Sequence, residues 1–155
     1  MEKIKELREK TGAGVMDVKK ALDEASGDIK KAEELLKARG VLIAEKKADR
    51  STAQGLIDSY VHLGKIGVLV EVNCETDFVA RNDDFKKFVH EIALQAAQSE
   101  SETVEDLLKE EYFRSPDQTI DALVKEMIGK IGENIKIKRF VRLSLETPQE
   151  SCDAS

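Results

Sequence analysis

At 155 residues, with 36% charged and 41% apolar side chains and a net charge of −6, the chain can bury about 70% of its unfolded surface, enough for one core and a small satellite. No apolar run approaches the ~18 residues of a membrane helix and the opening MEKIKELREK lacks an apolar signal region, so a soluble, cytoplasmic protein is expected. The acidic balance argues against broad nucleic-acid binding. Cys74 and Cys152 fit neither a C-x-x-C pair nor a zinc spacing, which suits a reducing compartment and leaves an intersubunit disulfide open.

Residues 1–40 pattern as three short helices. Ile4 and Leu7 mark the first, which the glycines of TGAG (Thr11 to Gly14) interrupt. Val18, Ala21, Leu22 and Ala25 recur at i, i+3, i+4, i+7 in the second, and Gly27 with Asp28 supplies its stop and the next N-cap. Ile29, Ala32, Leu35 and Leu36 form the third stripe. So few large side chains make a weak core alone, so the unit reads as a recognition module. Met16 falls about 160° from Val18 at 100° per residue, among Lys19, Lys20 and Asp23, and is expected in solvent. Val15 projects near the core edge, compatible with either role.

Residues 41–54 lose this periodicity, as a linker or a mostly exposed helix would. Residues 55–146 then read as an α+β core. GLIDSYVHL and GKIGVLVEVNC form a hairpin in which Ile66, Val68, Val70 and Val72 alternate, and IKIKRFVRLSL (Ile135 to Leu145) supplies a third strand of a small, mostly antiparallel sheet. Between them lie a strong helical stripe (Phe85, Phe88, Val89, Ile92, Ala93, Ala96), a weaker segment at Val104 to Leu108, and, after Ser115-Pro116-Asp117, another stripe (Ile120, Leu123, Val124, Met127, Ile128, Ile131). Helices segregated from strands place the sheet under a helical layer on one face. Residues 147–155 read as a frayed tail.

Nothing in the pattern specifies covalent chemistry. TGAG follows a helix and lacks the Gly-Lys-Ser/Thr of a phosphate loop. His62 and His90 have no partner at the spacing of a catalytic dyad. Asp77, Asp83 and Asp84 lack the alternation and central glycine of a calcium loop and suit helix N-termini. The expectation is a protein that is not an enzyme, with no cofactor, no metal and no nucleotide site of its own.

Phe78, in ETDFVARND, admits two placements. Seven residues before Phe85, it falls on the same helical stripe and belongs to the core if that helix starts early. If Arg81, Asn82 and Asp83 cap a new start instead, Phe78 sits in the preceding turn at the strand ends. Periodicity leaves both open.

LREKTGAGVMDVKKAL (Leu7 to Leu22), EVNCETDFVARND (Glu71 to Asp83) and GKIGENIKIKRF (Gly129 to Phe140) together resemble the signatures of the elongation factor Ts family, in family order. The resemblance implies a ubiquitin-associated-like three-helix domain before the core. It also implies exchange of guanine nucleotide on the translational GTPase elongation factor Tu. By motif position Phe78 would be the wedge that enters the GTPase, within the turn Thr76, Asp77, Phe78 and Val79. Arg8, Val15 and Met16 would be N-terminal contacts, and Ile131 and Gly132 a further one. SYVHLG (Ser59 to Gly64) resembles the family's Tyr-x-His-Gly loop and makes His62 a contact candidate, although Leu63 displaces the glycine. Only one copy of each core motif is present, so the chain resembles a short form, for which a homodimer is expected. The competing reading is an RNA-binding module built on Lys125, Lys130, Lys136, Lys138, Arg139 and Arg142, with Tyr60 and Phe140 as stacking surfaces.

Overall fold

A computed structural model describes residues 1–145; the expected tail, and Cys152 within it, lie outside the described residues. Three helices open the chain: α1 (Glu2–Thr11), α2 (Val15–Glu24) and α3 (Ile29–Lys47). The first turn follows from TGAG. Gly12 takes φ 66°, a left-handed conformation that costs glycine no steric penalty, and its N–H closes on the Arg8 carbonyl at 2.8 Å. The second follows from Asp28, whose Oδ1 accepts from the N–H groups of Lys30 (3.0 Å) and Lys31 (3.3 Å). Leu7, Val18, Ala21, Leu22, Ala25, Ala32 and Leu36 close into a first small core.

The third helix does not stop near residue 40. VLIAEKK is rich in good helix formers and free of proline, so α3 continues to Lys47 and carries buried Ala44 into the second core. Most of the expected linker is therefore rigid, and a single helix about 28 Å long serves both cores.

The second unit runs β1 (Gln54–His62), β2 (Ile66–Cys74), α4 (Asp77–Ala80), α5 (Asp83–Gln98), α6 (Val104–Lys109), β3 (Glu111–Tyr112), β4 (Ser115–Thr119), α7 (Ile120–Ile131) and β5 (Lys136–Ser144). Its architecture is α+β. β2 lies between β1 and β5, antiparallel to both, with Tyr60 opposite Val68 and Val70 opposite Phe140. The alternation of β2 turns Val68, Val70 and Val72 inward against Phe85, Phe88, Val89 and Ile92 of α5. Among the described residues no helix covers the opposite face, and Ile57, Val61, Leu69, Val141 and Leu143 stand exposed on it.

One element is absent from the sequence reading. Ser115-Pro116-Asp117, expected only as a lead-in to α7, belongs to a small hairpin of β3 and β4. It is held from outside: the Tyr112 hydroxyl donates to Glu91 Oε2 (2.7 Å), Arg114 Nε donates to the same oxygen (2.5 Å), and Gln95 Oε1 accepts from the Phe113 N–H (3.1 Å). All three anchors sit on or reach α5, about twenty residues away in sequence, so no local signal announces them.

Candidate functional site

Asn82 decides where Phe78 goes. Its Oδ1 accepts from the N–H groups of Asp84 (2.8 Å) and Phe85 (3.2 Å), which caps α5 and separates it from the single turn of α4. Phe78 is consequently not on the Phe85 stripe. Its ring is 83% exposed, whereas Val79 and Ala80 on the other side of α4 pack against the core. The core placement admitted by the periodicity is thereby excluded. Thr76 begins the turn, accepting from the Val79 N–H (3.4 Å), and Asp77 pairs with Arg81 one turn on (2.9 Å).

The turn is cross-linked to the segment after α7. Glu133 accepts from both the N–H (3.0 Å) and the hydroxyl (2.7 Å) of Thr76, and Glu75 accepts from the Asn134 N–H (2.8 Å). The buried Asn134 amide in turn donates to the carbonyls of Ala48 (3.2 Å) and Arg50 (2.8 Å), beyond the end of α3. Two signatures sixty residues apart thus form one junction. Sequence reading singled out Thr76, Asp77, Phe78 and Val79 in one and Ile131 and Gly132 in the other, and missed Glu75, Glu133 and Asn134 as contacts between them; paired polar residues flanking each motif were the available signal.

Cys74 lies under this junction. It is fully buried, its thiol donates to the Thr76 carbonyl (3.2 Å), and burial, with a smaller contribution from the Glu133 charge, pushes the thiol up to about 11. A sulfur so enclosed and so reluctant to ionise is unsuited to an intersubunit disulfide.

Other expected residues are brought close to varying degrees. Met16 is 65% exposed at the start of α2, as its angular position requires, and Val15 and Arg8 are exposed with it. Gly12, in the turn before them, is crossed by Lys130 of α7, so tightly that a Cβ there would lie 2.4 Å from Lys130 Cε, and Lys130 Nζ reaches Asp84 of α5 (3.5 Å). The turn between α1 and α2, the end of α7 and the α4–α5 junction are therefore linked by direct contacts. Gly132 ends α7 at φ 83° and its carbonyl accepts from Lys47, while Ile131 packs half-buried against the core.

His62 is placed elsewhere. Gln54 pairs with Cys74 near α4 and His62 pairs with Ile66 at the other end of β1, roughly 26 Å away at 3.3 Å per residue. It is exposed, with Nδ1 3.0 Å from the Tyr60 hydroxyl. Leu63 beside it takes φ 49°, a left-handed conformation disfavoured for a side chain with a Cβ and natural for glycine. His90 finds a carboxylate only through the fold, Asp58 Oδ2 at 2.9 Å, and the pair fastens α5 to β1.

The basic residues do not form one patch. Arg139 (2.6 Å) and Lys138 (3.7 Å) converge on Glu71, Lys125 pairs with Asp121 (2.9 Å), and Arg142 donates to the Ala96 carbonyl (3.0 Å). Phe140 and Tyr60 are half-buried, each packing against the core.

Comparison with known proteins agrees with the three motifs. The family model for elongation factor TS matches residues 75–151. Elongation factor Ts of Nostoc sp. (strain PCC 7120 / SAG 25.82 / UTEX 2576) is 50% identical over 143 residues, covering 92% of this chain and 45% of that protein. That of Clostridium kluyveri (strain ATCC 8527 / DSM 555 / NBRC 12016 / NCIMB 10680 / K1) is likewise 50% identical, with 47% of its length covered. The chain thus spans about half the length of these relatives. Elongation factor Ts of Thermoanaerobacter sp. (strain X514) is 43% identical over 185 residues, and there the match covers 90% of this chain and 91% of the relative. With identity at that level across nearly the full length of a relative, the chain belongs to the elongation factor Ts family.

Proposed function

We propose that this protein is a guanine nucleotide exchange factor that binds elongation factor Tu in its GDP state and promotes GDP release. The observation that carries this reading is the Phe78 ring, exposed on a turn that is itself anchored to the core through Val79 and Ala80. An exposed large aromatic on a fixed support is an interface anchor in waiting, since hot-spot residues are typically worth ≥ 2 kcal/mol. Phe78, with Asp77 beside it, stabilises a GTPase conformation whose magnesium and phosphate site is disrupted; GTP then replaces GDP. By linkage, a hundredfold weakening of nucleotide requires about 2.7 kcal/mol of coupling, within reach of one buried ring and its surroundings. Arg8, Val15 and Met16 add contacts from a ubiquitin-associated-like N-terminal unit, and Ile131 and Gly132 from the α7 end. His62 belongs to a separate contact, given its distance from the wedge. The factor acts in the cytoplasm without cofactor and without covalent chemistry.

Two copies work together in this proposal, paired through the uncovered sheet face rather than a strand edge. Ile57, Leu69, Val141 and Leu143 make that face apolar, and a single chain supplies one such sheet where relatives about twice as long have room for a second.

The alternative of an RNA-binding module is not favoured, because four of its six cations are paired locally, Lys138 and Arg139 with Glu71, Lys125 with Asp121 and Lys130 with Asp84. Stopped-flow release of fluorescent GDP from elongation factor Tu tests the reading. Acceleration by the wild-type chain, reduced about 10- to 100-fold in Phe78→Ala with folding retained, is expected; full acceleration by Phe78→Ala would refute the wedge.

A further inference from the structure

We propose that Glu133 is the positioning residue for the Phe78 turn, acting through Thr76. The inference deepens the exchange-factor reading and rests on it for its functional consequence.

A helix of four residues has no stability of its own, since its nucleation cost is not recovered by so few hydrogen bonds. The Phe78 ring contributes nothing to holding it, being exposed. Its direction is set by the backbone of α4, and that backbone begins at Thr76. Glu133 grips Thr76 twice, taking its N–H at 3.0 Å and its hydroxyl at 2.7 Å. Two bonds from one carboxylate to one residue fix orientation as well as distance. With its O–H donating to Glu133, the Thr76 oxygen turns a lone pair to the Val79 N–H (3.4 Å), which starts the helical turn. The parallel link from Glu75 to the Asn134 N–H (2.8 Å) prevents the two segments from sliding past each other. Glu133 can reach because Gly132, at φ 83°, turns the chain off α7 immediately before it. Removing the grip leaves the ring present but loosely aimed, and a misplacement of about 1 Å can cost about 100-fold in a reaction that depends on geometry.

The test uses the full chain in four forms: wild type, Glu133→Ala, Glu133→Gln, and Glu133→Ala combined with Phe78→Ala. Backbone amide hydrogen exchange is followed at Val79, Ala80 and, as a remote control, Ile92; GDP release gives the maximal rate and the half-saturating concentration separately. Expected are exchange at Val79 and Ala80 at least tenfold faster in Glu133→Ala with Ile92 unchanged, and a maximal rate lowered at least tenfold. Glu133→Gln, which keeps the shape and one acceptor, recovers most of both. The double variant is within twofold of Phe78→Ala alone, because a residue that acts through the ring has no effect once the ring is gone. Unchanged protection of Val79 and Ala80 overturns the proposal, as do losses that multiply in the double variant. If Glu133→Ala also loses protection at Ile92, Glu133→Asp decides: it keeps the carboxylate but draws it back by one methylene from both Thr76 bonds while leaving the Thr76 cap on Val79 in place, and no loosening at Val79 and Ala80 overturns the proposal. A wild-type chain that leaves GDP release unchanged refutes the exchange reading alone, and the amide data still decide whether Glu133 positions the turn.

Discussion

Gly129 on α7 meets Gly40 on α3 so closely that a methyl group on Gly129 would lie 2.8 Å from the Gly40 Cα. The contact is backbone against backbone and cannot be relieved by a side-chain rotation. It sets the spacing between the helix shared by both cores and the helix that ends beside the Phe78 turn. Gly129→Ala gains about 1 kcal/mol of helix propensity but must separate the helices at a cost of about 1–3 kcal/mol, so a net loss of up to about 2 kcal/mol is expected in urea unfolding. Gly40→Ala has the opposite sign. Its new Cβ meets nothing nearer than the Lys125 carbonyl oxygen at 4.0 Å, so propensity prevails and the unfolding midpoint rises or stays level. A stabilised Gly129→Ala would contradict the tight crossing.

Asn134 is the buried polar hinge of the same region. Its amide satisfies the carbonyls of Ala48 and Arg50, which end the α3 segment. Asn134→Ala leaves both without that donor and should lower stability by about 1–3 kcal/mol. Asn134→Asp should be worse at neutral pH, since it turns a buried charge toward two carbonyl oxygens. Thermal unfolding of the two variants, with the aspartate variant melting lower, checks this order.

Acid should loosen the β3–β4 hairpin. Burial works against the charges of Glu91 and Glu110, yet Arg114 and Tyr112 on Glu91, and Ser101, Ser99 and Gln95 on Glu110, hold both carboxyls below the usual carboxylate range. A folded value below the unfolded one, about 4.3, means the unfolded chain takes up protons first as pH falls. The stabilisation is therefore complete above about pH 5 and is lost as pH drops through the folded values. Tyr112 behaves in the opposite sense. Burial, then the hydrogen bond to Glu91, pushes its hydroxyl up to about 12, so its contribution is intact below about pH 10 and fades as pH rises toward 12. Urea midpoints measured from pH 3 to 11 should show both shoulders, the acid one reduced in Glu110→Gln and the alkaline one in Tyr112→Phe.

The bare sheet face makes a prediction about assembly. Leu69 pairs with Val141 and Gly67 with Leu143 across β2 and β5, so their side chains form one patch. Sedimentation equilibrium should give twice the chain mass for wild type. Leu69→Lys with Val141→Lys should give the single-chain mass without loss of helical circular dichroism, since neither side chain enters the core. A wild type that stays monomeric at tens of micromolar removes the pairing from the proposal.

Much of this molecule is written locally. The 3.6-residue stripes of α2, α5 and α7, the alternation of β2, the stop at Gly12 and the cap at Asp28 all act within a few residues, and each appears where the pattern puts it. The exposure of Met16 follows from helix geometry alone. The continuation of α3 to Lys47 was ambiguous, because its apolar side chains face a second core that does not exist until the sheet forms. The β3–β4 hairpin was invisible for the same reason, its anchors Glu91 and Gln95 being supplied by α5.

The composition and periodicity by themselves determined the α+β class and the order of its helices and main strands, and three short motifs carried the resemblance to the family. Tertiary structure decided the side on which Phe78 stands, because Val79 and Ala80 pack against the core and so favour the local cap at Asn82 over a helical stripe of nearly equal claim. It also decided what holds that ring in place: Glu133 on Thr76 and Asn134 beneath the end of α3 are contacts between segments distant in sequence, and hydrogen bonds of that kind leave no period along the chain to be read.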